Sequence, residues 1–475
     1  MPESGLPEQA QLHLERVRSH FDDTSALTPA AVAYRRILTR YYNLLIKDDS
    51  SVLEIGCGSG DLLAGINARE KFGIDLSPAQ INRAREKVPE AHFFVQAGEE
   101  LQLPDRTFDY IILSDAINLA ADVQLIFENL HKVSTPATRL LLNSYNTLWR
   151  PLIALGTRLG IRNRYPESNW LSKADISGLL QLSGWEPVRF ESRILCPLPV
   201  WGLGEFLNQW VAPLVPAACL ALFAIARPRP QLVRRNDLSV SVVVPARNEA
   251  GNIEQAVLRT PAMGRSTELI FVEGGSKDNT WEKIRHVREK YPERSIKILR
   301  QTGKGKGDAV RAGFAQAEGD LLMILDADLT MPPEELPKFY DAVASGCCDF
   351  ANGSRLVYPM DAEAMRFLNL CANKAFSILF SWLLGQPVKD TLCGTKVLGR
   401  DDYLRLAQNR TYFGDFDPFG DFDLLFGASK LNLKILDVPI RYRERTYGQT
   451  NISRWRHGLL LLRMVTFAAK KLKFL

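Results

Sequence analysis

Two aspartates stand one residue apart where an apolar run ends. Residues 321–325, LLMIL, have the length and composition of a buried strand, and Asp326 and Asp328 follow directly. Ionised carboxylates that are buried without a partner are costly, and two such neighbours also repel each other. A divalent cation such as Mg²⁺ or Mn²⁺ relieves both costs, because hard cations take oxygen ligands and share them with substrate phosphates. The pair predicts a cation site that receives a diphosphate; two acids capping a solvated strand end are the alternative.

Residues suited to binding phosphate and nucleoside lie upstream of this pair. The loop GKGKGDAVRAGF, residues 303–314, brings two lysines to the start of a predicted helix, where backbone amides and Lys306 can face a phosphate. A flexible basic turn is the alternative for this loop. The stretch VVVPARNEAGNI has Glu249 in the first turn after a strand, and a second strand ends at Glu273.

A glycine-rich loop earlier in the chain has the pattern of a cofactor site. VLEIGCGSGD places Gly56, Gly58 and Gly60 directly after an apolar strand, where a backbone without side chains can approach a ligand closely. The next strand, KFGID, ends at Asp75, whose carboxylate can accept both hydroxyls of a ribose. The pattern predicts a nucleoside-containing cofactor. A nicotinamide dinucleotide is one alternative, although its usual spacing is G-x-G-x-x-G.

Two separate sheets are needed to position these two groups of residues. Blocks that begin at 51–66 and 239–257 each alternate strand-like apolar runs with helical patterns, which predicts two α/β domains with largely parallel sheets. Between them, ARPRPQLVRRNDL has no apolar period and has the composition of a linker. The predicted limits are 1–228 for the first domain, 229–238 for the linker, 239–455 for the second domain and 456–475 for a basic C-terminal helix.

The first block, over roughly residues 10–228, resembles the class I S-adenosylmethionine-dependent methyltransferases. The E-x-G-x-G-x-G loop is followed by segments similar to the fourth strand (108–118), the fifth strand (139–146) and the closing antiparallel pair (186–195 and 220–228). The resemblance implies a Rossmann-like fold with S-adenosyl-L-methionine as cofactor. The implied cofactor-binding residues are Glu54, Gly56, Gly58, Gly60, Asp75, Glu99 and Ser114.

One position departs from that family. Ala97 stands where many members have an aspartate that binds the adenine amine, so Glu99 or a backbone carbonyl is expected to replace it. Polar residues expected near the methyl group can equally be structural; they are Asp115, Asn143, Tyr145 and Asn169.

The second block, residues 239–455, resembles the family 2 glycosyltransferases, most closely the branch of the dolichol-phosphate mannosyltransferases. P-x-x-N-E, the D-A-D motif, a following PPE and a late arginine carry this resemblance. It implies a nucleotide-sugar GT-A fold and metal-dependent sugar transfer with inversion. Asp326 and Asp328 are the implied metal ligands. The implied nucleotide-sugar-binding residues are Pro245, Asn248, Glu249, Glu273, Lys306, Asp326, Asp328 and Arg445. Glu273 departs from the usual pair of aspartates.

The resemblance also implies the catalytic residues and the substrates. Asp328 and Arg355 are expected to act at the diphosphate, and Asp421 is the expected general base among the acids of FGDFDPFGDFD. Each of these acids can instead cap a loop or helix. A phosphate acceptor needs no base, and Arg355 and Lys396 can clamp a lipid phosphate instead. The expected partners are a nucleotide diphosphate sugar, GDP-mannose or UDP-hexose, and a polyprenyl phosphate or glycan acceptor.

Charge and hydropathy indicate a cytoplasmic protein with possible peripheral membrane contact on the inner face of the cell membrane. The net charge of +5 over 475 residues gives no case for nucleic acid binding, and the seven cysteines form no C-x-x-C pair. The N-terminus lacks the apolar segment of a signal peptide. Residues 206–226 are uncharged, but Pro213 and Pro216 disfavour a membrane-spanning helix. The basic C-terminal segment has the pattern of a helix on a membrane surface or packed on its own domain.

Together these patterns predict a bifunctional enzyme that joins an inverting glycosyltransferase to a methyltransferase, in cell-surface glycan or glycolipid biosynthesis. The alternative is a glycosyltransferase whose first domain is a non-catalytic S-adenosylmethionine-binding regulatory or scaffolding module.

Overall fold

The chain divides into two compact units. The computed structural model describes residues 6–23, 28–103, 106–160, 165–166, 169–198, 202–230, 235–355, 357, 367–408, 421–443, 445, 447 and 454–474, with the backbone alone for 367–373, 421 and 454–461. The first unit comprises 1–229 with 474–475, and the second comprises 230–473.

The first unit is built on a largely parallel sheet. Among the described residues the sheet has seven strands in the order 3-2-1-4-5-7-6, and only its last two strands introduce antiparallel pairing. The central strands are buried along their whole length, as continuous apolar runs require. The strands are β1 (Ser51–Ile55), β2 (Glu70–Asp75), β3 (His92–Val95), β4 (Tyr110–Ser114), β5 (Arg139–Tyr145), β6 (Trp185–Arg193) and β7 (Ala221–Pro228).

Helices cover both faces of this sheet and create two apolar cores. Four of them begin at side chains that accept a hydrogen bond from the first turn, namely Thr28, Ser77, Asp122 and Ser172. The helices are α1 (Glu8–Asp23), α2 (Pro29–Leu45), α3 (Asp61–Gly65), α4 (Pro78–Lys87), α5 (Val123–Asn129), α6 (Arg150–Arg158), α7 (Lys173–Leu182) and α8 (Leu203–Phe206). One core lies beneath α2 and the other beneath α5 and α7.

The second unit has a mixed sheet whose parallel part includes the strand before the D-A-D motif. In the described part of the chain its seven strands follow the order 10-9-8-11-13-12-14, parallel from the first to the fourth. The fifth strand is antiparallel to both of its neighbours. The strands are β8 (Val240–Ala246), β9 (Thr267–Glu273), β10 (Ser295–Arg300), β11 (Leu321–Ile324), β12 (Phe350–Ser354), β13 (Lys396–Gly399) and β14 (Ile435–Pro439).

The loops that leave the carboxyl ends of β8, β9 and β11 therefore meet at one edge of the second sheet. A core of valine, leucine and phenylalanine side chains fixes these strands against the helices. The helices are α9 (Ile253–Arg259), α10 (Thr280–Lys290), α11 (Lys306–Ala315), α12 (Leu336–Ala344), α13 (Phe367–Leu384), α14 (Arg400–Gln408), α15 (Asp421–Lys430) and α16 (Arg454–Leu472).

The uncharged segment 206–226 forms several short helical turns and one strand. It runs from α8 through single helical turns at 207–218 into β7, which closes the first sheet. Within the described ranges, no helix combines the length and the hydropathy needed to cross a bilayer. The closing strand pair predicted at 186–195 and 220–228 is present as β6 and β7.

Candidate functional sites

The loop after β1 is held in a conformation that favours glycine. Gly56, Gly58 and Gly60 have φ values of +74°, +52° and +73°, in the left-handed region. A Cβ on Gly56 would lie 3.1 Å from the Cβ of Ala116, whereas a Cβ on Gly58 would meet nothing within 4 Å. The first glycine is therefore required by the fold, and the second leaves open space for a ligand.

Asp75 ties the end of β2 to this loop. Its carboxylate accepts hydrogen bonds from the backbone N–H groups of Gly58 at 2.8 Å and Ser77 at 2.9 Å. Burial raises the pKa of Asp75, and these two hydrogen bonds act in the opposite direction. The carboxylate lies in the wall of the cavity, where the sequence predicts a ribose-binding acid.

Glu54 is a buried carboxylate without a hydrogen-bond partner among the described residues. It has no exposed surface in β1, and both of its oxygens lack a donor. Burial raises its pKa to about 8, and the charge of Arg35 from α2 only partly offsets this effect. A buried acid of this kind is satisfied by a cationic or hydrogen-bond-donating ligand. Glu54 is therefore a predicted cofactor residue whose charge the described protein leaves without a hydrogen-bond partner.

Side chains of α2 complete the polar floor of this site, and the sequence analysis missed them. Arg35 donates to the hydroxyl of Ser114 at 3.3 Å. Asp115, held at a φ of +58°, accepts from Tyr34 at 3.2 Å and from Asn143 at 2.6 Å. Polar groups on the inward face of the helix AYRRILTRYYNLL were the available signal, but its periodicity indicates only burial.

Glu99 and Asn118 both line the cavity, but only the side chain of Glu99 has hydrogen-bond partners in the described structure. An oxygen of Glu99 accepts from the backbone N–H groups of Ala121 at 2.9 Å and Asp122 at 3.3 Å. Burial raises the pKa of Glu99. The side-chain amide of Asn118 is also buried, but neither of its polar atoms has a hydrogen-bond partner in the described structure. Asn118 is thus better prepared than Glu99 to bind a polar group such as the adenine amine.

A cavity of about 200 Å³ lies at this site, and Arg35, Asp115 and Asn118 are part of its wall. Asn169, predicted as a candidate near the methyl group, donates its side-chain amide to the carbonyls of Ile117 at 3.1 Å and Ala120 at 2.8 Å. Its contacts are those of a structural residue. Of the predicted cofactor residues, the cavity wall includes Gly56, Gly58, Asp75, Glu99 and Ser114 but not Glu54 and Gly60.

In the second unit, each aspartate of the D-A-D motif forms an ion pair. The ammonium of Lys306 lies 2.6 Å from Asp326, and the guanidinium of Arg445 lies 2.5 Å from Asp328. Burial opposes ionisation of Asp326, yet the positive charge of Lys306 holds its pKa below the usual value. Each of the two carboxylates therefore already lies against a positively charged side chain.

The loop before β13 closes tightly over the first of these pairs. A Cβ on Gly394 would overlap the carboxylate of Asp326 and the ammonium of Lys306. Only a glycine allows the backbone to approach the ion pair this closely. Asp328 is held on its other side by Thr330, whose hydroxyl donates to it at 2.9 Å.

Arg445 also links the D-A-D motif to the loop that follows β8. Its guanidinium donates to Glu249 at 3.3 Å, so the same side chain bridges Glu249 and Asp328. Burial raises the pKa of Glu249 to about 7, while Arg445 and the side-chain amide of Asn252 favour its ionised form. The predicted opening motif and the predicted late arginine are thus in direct contact.

The other predicted nucleoside-binding residues lie at the carboxyl ends of β8 and β9. Pro245 is within β8. Asn248 has a φ of +58° and accepts a hydrogen bond from the N–H of Lys277 at 2.8 Å. Glu273 is the last residue of β9 and accepts from the N–H of Ser276 at 2.5 Å. These contacts fix the loops around the site.

Arg355 lies at the end of β12, where it is engaged by a buried acid. Its guanidinium forms two hydrogen bonds to Asp390, at 2.7 and 2.8 Å, and Asp390 has no exposed surface. Lys396 is also fully buried and donates to the carbonyl of Cys393. Both cations lower the pKa of Asp326 by their charge. Their positive charge thus favours the ionised form of Asp326. Binding of a lipid phosphate by Arg355 and Lys396 stays a prediction.

The predicted base, Asp421, is the first residue of α15, and its side chain lies outside the described residues. Asp415 and Asp417 also lie outside them. Asp423, in the same helix, is buried. The structure therefore leaves the choice of base a prediction.

The donor set at the D-A-D motif consists of oxygen atoms alone. Among the described side chains, no group of three or more potential ligands forms a complete cation site. Two carboxylates suit Mg²⁺ or Mn²⁺, which bind few protein ligands and complete their shell with substrate phosphates and water. Lys306 balances the charge of Asp326, and Arg445 balances that of Asp328. The residues present therefore fit a cation that is bound together with a diphosphate.

Comparisons with known families match both halves of the chain. Residues 46–164 match the family described as a methyltransferase domain, and residues 241–404 match glycosyl transferase family 2. A dolichol-phosphate mannosyltransferase of Pyrococcus furiosus is 41% identical over 223 residues, which are 45% of this chain and 59% of the relative. An undecaprenyl-phosphate 4-deoxy-4-formamido-L-arabinose transferase of Edwardsiella ictaluri is 37% identical over 227 residues, 47% of this chain and 64% of the relative.

The chain therefore spans less than two thirds of the length of these relatives. Two solved structures are also similar to parts of it. An S-adenosylmethionine-dependent methyltransferase of Thermotoga maritima has a TM-score of 0.33 and 15% identity, covering 42% of this chain and 91% of its own. Glucosyl-3-phosphoglycerate synthase of Mycobacterium tuberculosis has a TM-score of 0.36 and 18% identity, covering 50% of this chain and 80% of its own.

The family matches confirm the predicted resemblance and the predicted pair of α/β folds. Each half of the chain thus carries an α/β sheet within a family match, to a methyltransferase domain in the first unit and to glycosyl transferase family 2 in the second.

Proposed function

We propose that this protein transfers a sugar from a nucleoside diphosphate donor to a polyprenyl phosphate or glycan acceptor and methylates an intermediate or product of the same route. The route is cell-surface glycan or glycolipid biosynthesis, at the inner face of the membrane. One observation carries the proposal: Asp326 and Asp328 lie at the carboxyl edge of the second sheet, each against a basic side chain that suits a diphosphate.

Different residues at this edge of the sheet bind the cation, the phosphates and the nucleoside of the donor. Asp326 and Asp328 would hold Mg²⁺ or Mn²⁺, which when bound offsets the charge that develops on the departing diphosphate. Lys306 and Arg445 release their carboxylates and turn to the phosphates. The nucleoside lies against the loops that follow β8 and β9. Residues proposed for it are Pro245, Asn248, Glu249 and Glu273.

The acceptor is assigned from the chemistry of the relatives and of the chain. The Edwardsiella ictaluri relative is named as an undecaprenyl-phosphate transferase, and the Pyrococcus furiosus relative as a dolichol-phosphate transferase. A phosphate oxygen is already anionic, so a polyprenyl phosphate acceptor needs positive charge rather than a base. Arg355 is the proposed source of that charge. A glycan hydroxyl would require Asp421 as general base.

In the first domain the proposed ligand is S-adenosylmethionine, which supplies an electrophilic methyl group when bound. Asp75 accepts the ribose hydroxyls, and the open side of Gly58 admits its backbone contact. Glu54 lies outside the cavity wall and is proposed to act on the cationic methionyl end through its charge. Asn118 offers an unused amide to the adenine. The remaining proposed contacts are Gly56, Gly60, Glu99 and Ser114.

Incubation of the purified chain with a panel of nucleoside diphosphate sugars, Mg²⁺ or Mn²⁺ and polyprenyl phosphate tests the glycosyltransferase proposal. We expect metal-dependent release of nucleoside diphosphate together with a glycosylated lipid. Absence of any lipid product with GDP-mannose, UDP-hexoses and amino-sugar donors would contradict the proposal.

Labelled S-adenosylmethionine separates the proposed methyltransferase from the regulatory alternative. Lipid extracts are supplied before and after sugar addition, and label is followed into the organic phase. Methylated lipid supports a bifunctional enzyme, whereas tight cofactor binding without any methylated product supports a non-catalytic module. Each half can be expressed by itself for comparison, within the proposed domain limits. These limits are 1–228 for the first domain, 229–238 for the linker, 239–455 for the second domain and 456–475 for the C-terminal helix.

A further inference from the structure

An unusual helix follows the last parallel strand of the first domain. Leu148 lies in the turn that leads into α6, and Leu152, Leu155 and Leu159 follow at helical spacing along one side. These four leucines are between 51% and 68% exposed. The opposite side, with Trp149 and Ile153, packs against the core beneath α2. We call the exposed side, from Leu148 to Leu159, the leucine face.

The charged residues of this helix are all positive. Arg150 and Arg158 are exposed on the same helix. The sequence contains no acidic residue between Glu128 and Glu167. A helix that carries leucines on one side, flanked by arginines and free of acids, has the composition of an element that lies in the headgroup region of an anionic bilayer.

A second exposed apolar segment is fastened to the start of this helix. The indole N–H of Trp149 donates to the carbonyl of Ala218 at 2.8 Å, and the side chain of Asn146 donates to the carbonyl of Cys219 at 2.9 Å. The segment that leads to these carbonyls exposes Phe206 and Trp210. Tryptophan is enriched where proteins meet the membrane interface, and phenylalanine is found on the apolar side of helices that lie there.

The helix of the leucine face is linked to the cavity of the first domain through a series of ring contacts. The guanidinium of Arg150 lies over the ring of Trp170 at 5.9 Å, and Trp170 lies 6.3 Å from Tyr145, measured between ring centroids. Tyr145 lines the cavity and lies 6.4 Å from Tyr34, whose hydroxyl bonds to Asp115. A row of aromatic rings therefore connects the helix with the polar floor of the site.

We propose that the leucine face docks on the surface of an anionic phospholipid bilayer and thereby presents the cavity of the first domain to membrane lipids. The docking itself depends only on this surface. The delivery of a lipid to the cavity rests on the methyl transfer proposed above.

A second copy of the chain is a poorer occupant of this surface. A symmetric dimer through the leucine face would bring the arginines of both copies together without an acid to pair with them. An anionic bilayer supplies apolar and negatively charged groups at the same depth, which matches both features of the helix.

Flotation with lipid vesicles tests the docking of the full chain. The vesicles contain equal parts phosphatidylethanolamine and phosphatidylglycerol, and a second set contains phosphatidylcholine alone. The test variant carries Leu152→Glu and Leu155→Glu. The matched control carries Leu182→Glu and Leu258→Glu, which add the same charge at exposed leucines of α7 and α9. We expect the unaltered chain and the control to partition alike onto anionic vesicles, and the test variant to bind at least about tenfold more weakly.

Thermal stabilisation by S-adenosylhomocysteine, measured without vesicles, shows that both variants keep the fold of the first domain. Equal vesicle binding by the test variant and the unaltered chain would overturn the proposal and would assign binding to another segment such as α16. Failure of the unaltered chain to bind anionic vesicles would also overturn it, as would a dimer in light scattering that only the test variant dissociates. Absence of S-adenosylhomocysteine binding by the unaltered chain would instead overturn the proposed methyltransferase and leave the docking result standing.

Discussion

The carboxylates of the two candidate sites are in opposite electrostatic environments. In the first domain, Glu54 has no hydrogen-bond partner among the described residues and a pKa raised by burial to about 8. In the second domain, Asp326 and Asp328 each form an ion pair with a basic side chain, and the pKa of Asp326 is lowered below its usual value in spite of burial.

This difference corresponds to the charge of the proposed ligands. S-adenosylmethionine brings its own positive charge, so an unsatisfied acid is a suitable receptor and a basic residue in contact with it would compete. A nucleoside diphosphate sugar brings negative charge, and a cation accompanies it to the two aspartates. Lys306 and Arg445 can hold those aspartates before the donor binds and can contact phosphates afterwards.

The largest expected effect is on sugar transfer when Asp328 is replaced by asparagine. The change removes one anionic ligand while keeping the shape of the side chain, so we expect the rate of metal-dependent transfer to fall by roughly 10³-fold. Release of nucleoside diphosphate measures this rate. Binding of S-adenosylhomocysteine to the same variant should be unchanged.

Asp401→Asn is a matched control for that variant. Asp401 is an exposed acid in the first turn of α14, and its replacement should leave the transfer rate within about twofold of the original. Retained transfer in Asp328→Asn would remove the proposed diphosphate site.

A smaller effect is expected when Glu54 is replaced by glutamine. Loss of one buried, charge-assisted contact should weaken S-adenosylmethionine binding by roughly 10- to 100-fold. Isothermal titration calorimetry measures the affinity, and Glu90→Gln, at an exposed position of the same domain, is the control. An unchanged affinity in Glu54→Gln would show that this acid does not face the ligand.

The same variant should also change the dependence on pH. The pKa of Glu54 is raised from 4.5 to about 8 by burial, so the ligand-free domain holds this proton across that window. The associated stability is fully present below pH 4.5 and is lost as pH rises through about 8. A cationic ligand favours the ionised acid, so affinity should rise with pH up to about 8 in the unaltered chain relative to Glu54→Gln. Parallel pH profiles of the two proteins would contradict this assignment.

The smallest expected effect distinguishes two glycines of the same loop. Both have a left-handed backbone, so alanine at either position should cost about 1 kcal/mol of stability. Gly56→Ala should cost more, because its Cβ would press on Ala116, whereas Gly58→Ala adds no contact within the protein. Thermal unfolding measures the stabilities. Cofactor affinity should fall in Gly58→Ala, and a variant that binds normally would show that the open side of Gly58 does not contact the ligand.

Strands were the part of the fold that the sequence predicted best. The predicted segments 108–118, 139–146 and 220–228 contain β4, β5 and β7. Long apolar runs of β-branched and aromatic residues bounded by turns explain this agreement, because burial on both sheet faces leaves such a run few other conformations. The residues of the glycine loop were equally predictable, since their spacing is itself the structural requirement.

Contacts between distant segments were not predictable from local pattern. The pairing of Arg355 with Asp390 depends on how the loop before β13 folds back, and no periodicity encodes that path. For the same reason the sequence did not reveal that Arg35 reaches Ser114, or that Glu99 is bonded to the backbone while Asn118 is not.

Calorimetric titration of the full chain with nucleoside diphosphate, with and without Mg²⁺ or Mn²⁺, tests the central claim most directly. UDP and GDP are compared on the unaltered chain and on a variant with Asp326→Asn and Asp328→Asn. The account predicts that one of the two nucleotides binds at least about tenfold more tightly with the cation, and that the variant loses this gain. Diphosphate binding that is indifferent to the cation, or a gain that persists in the variant, would contradict it.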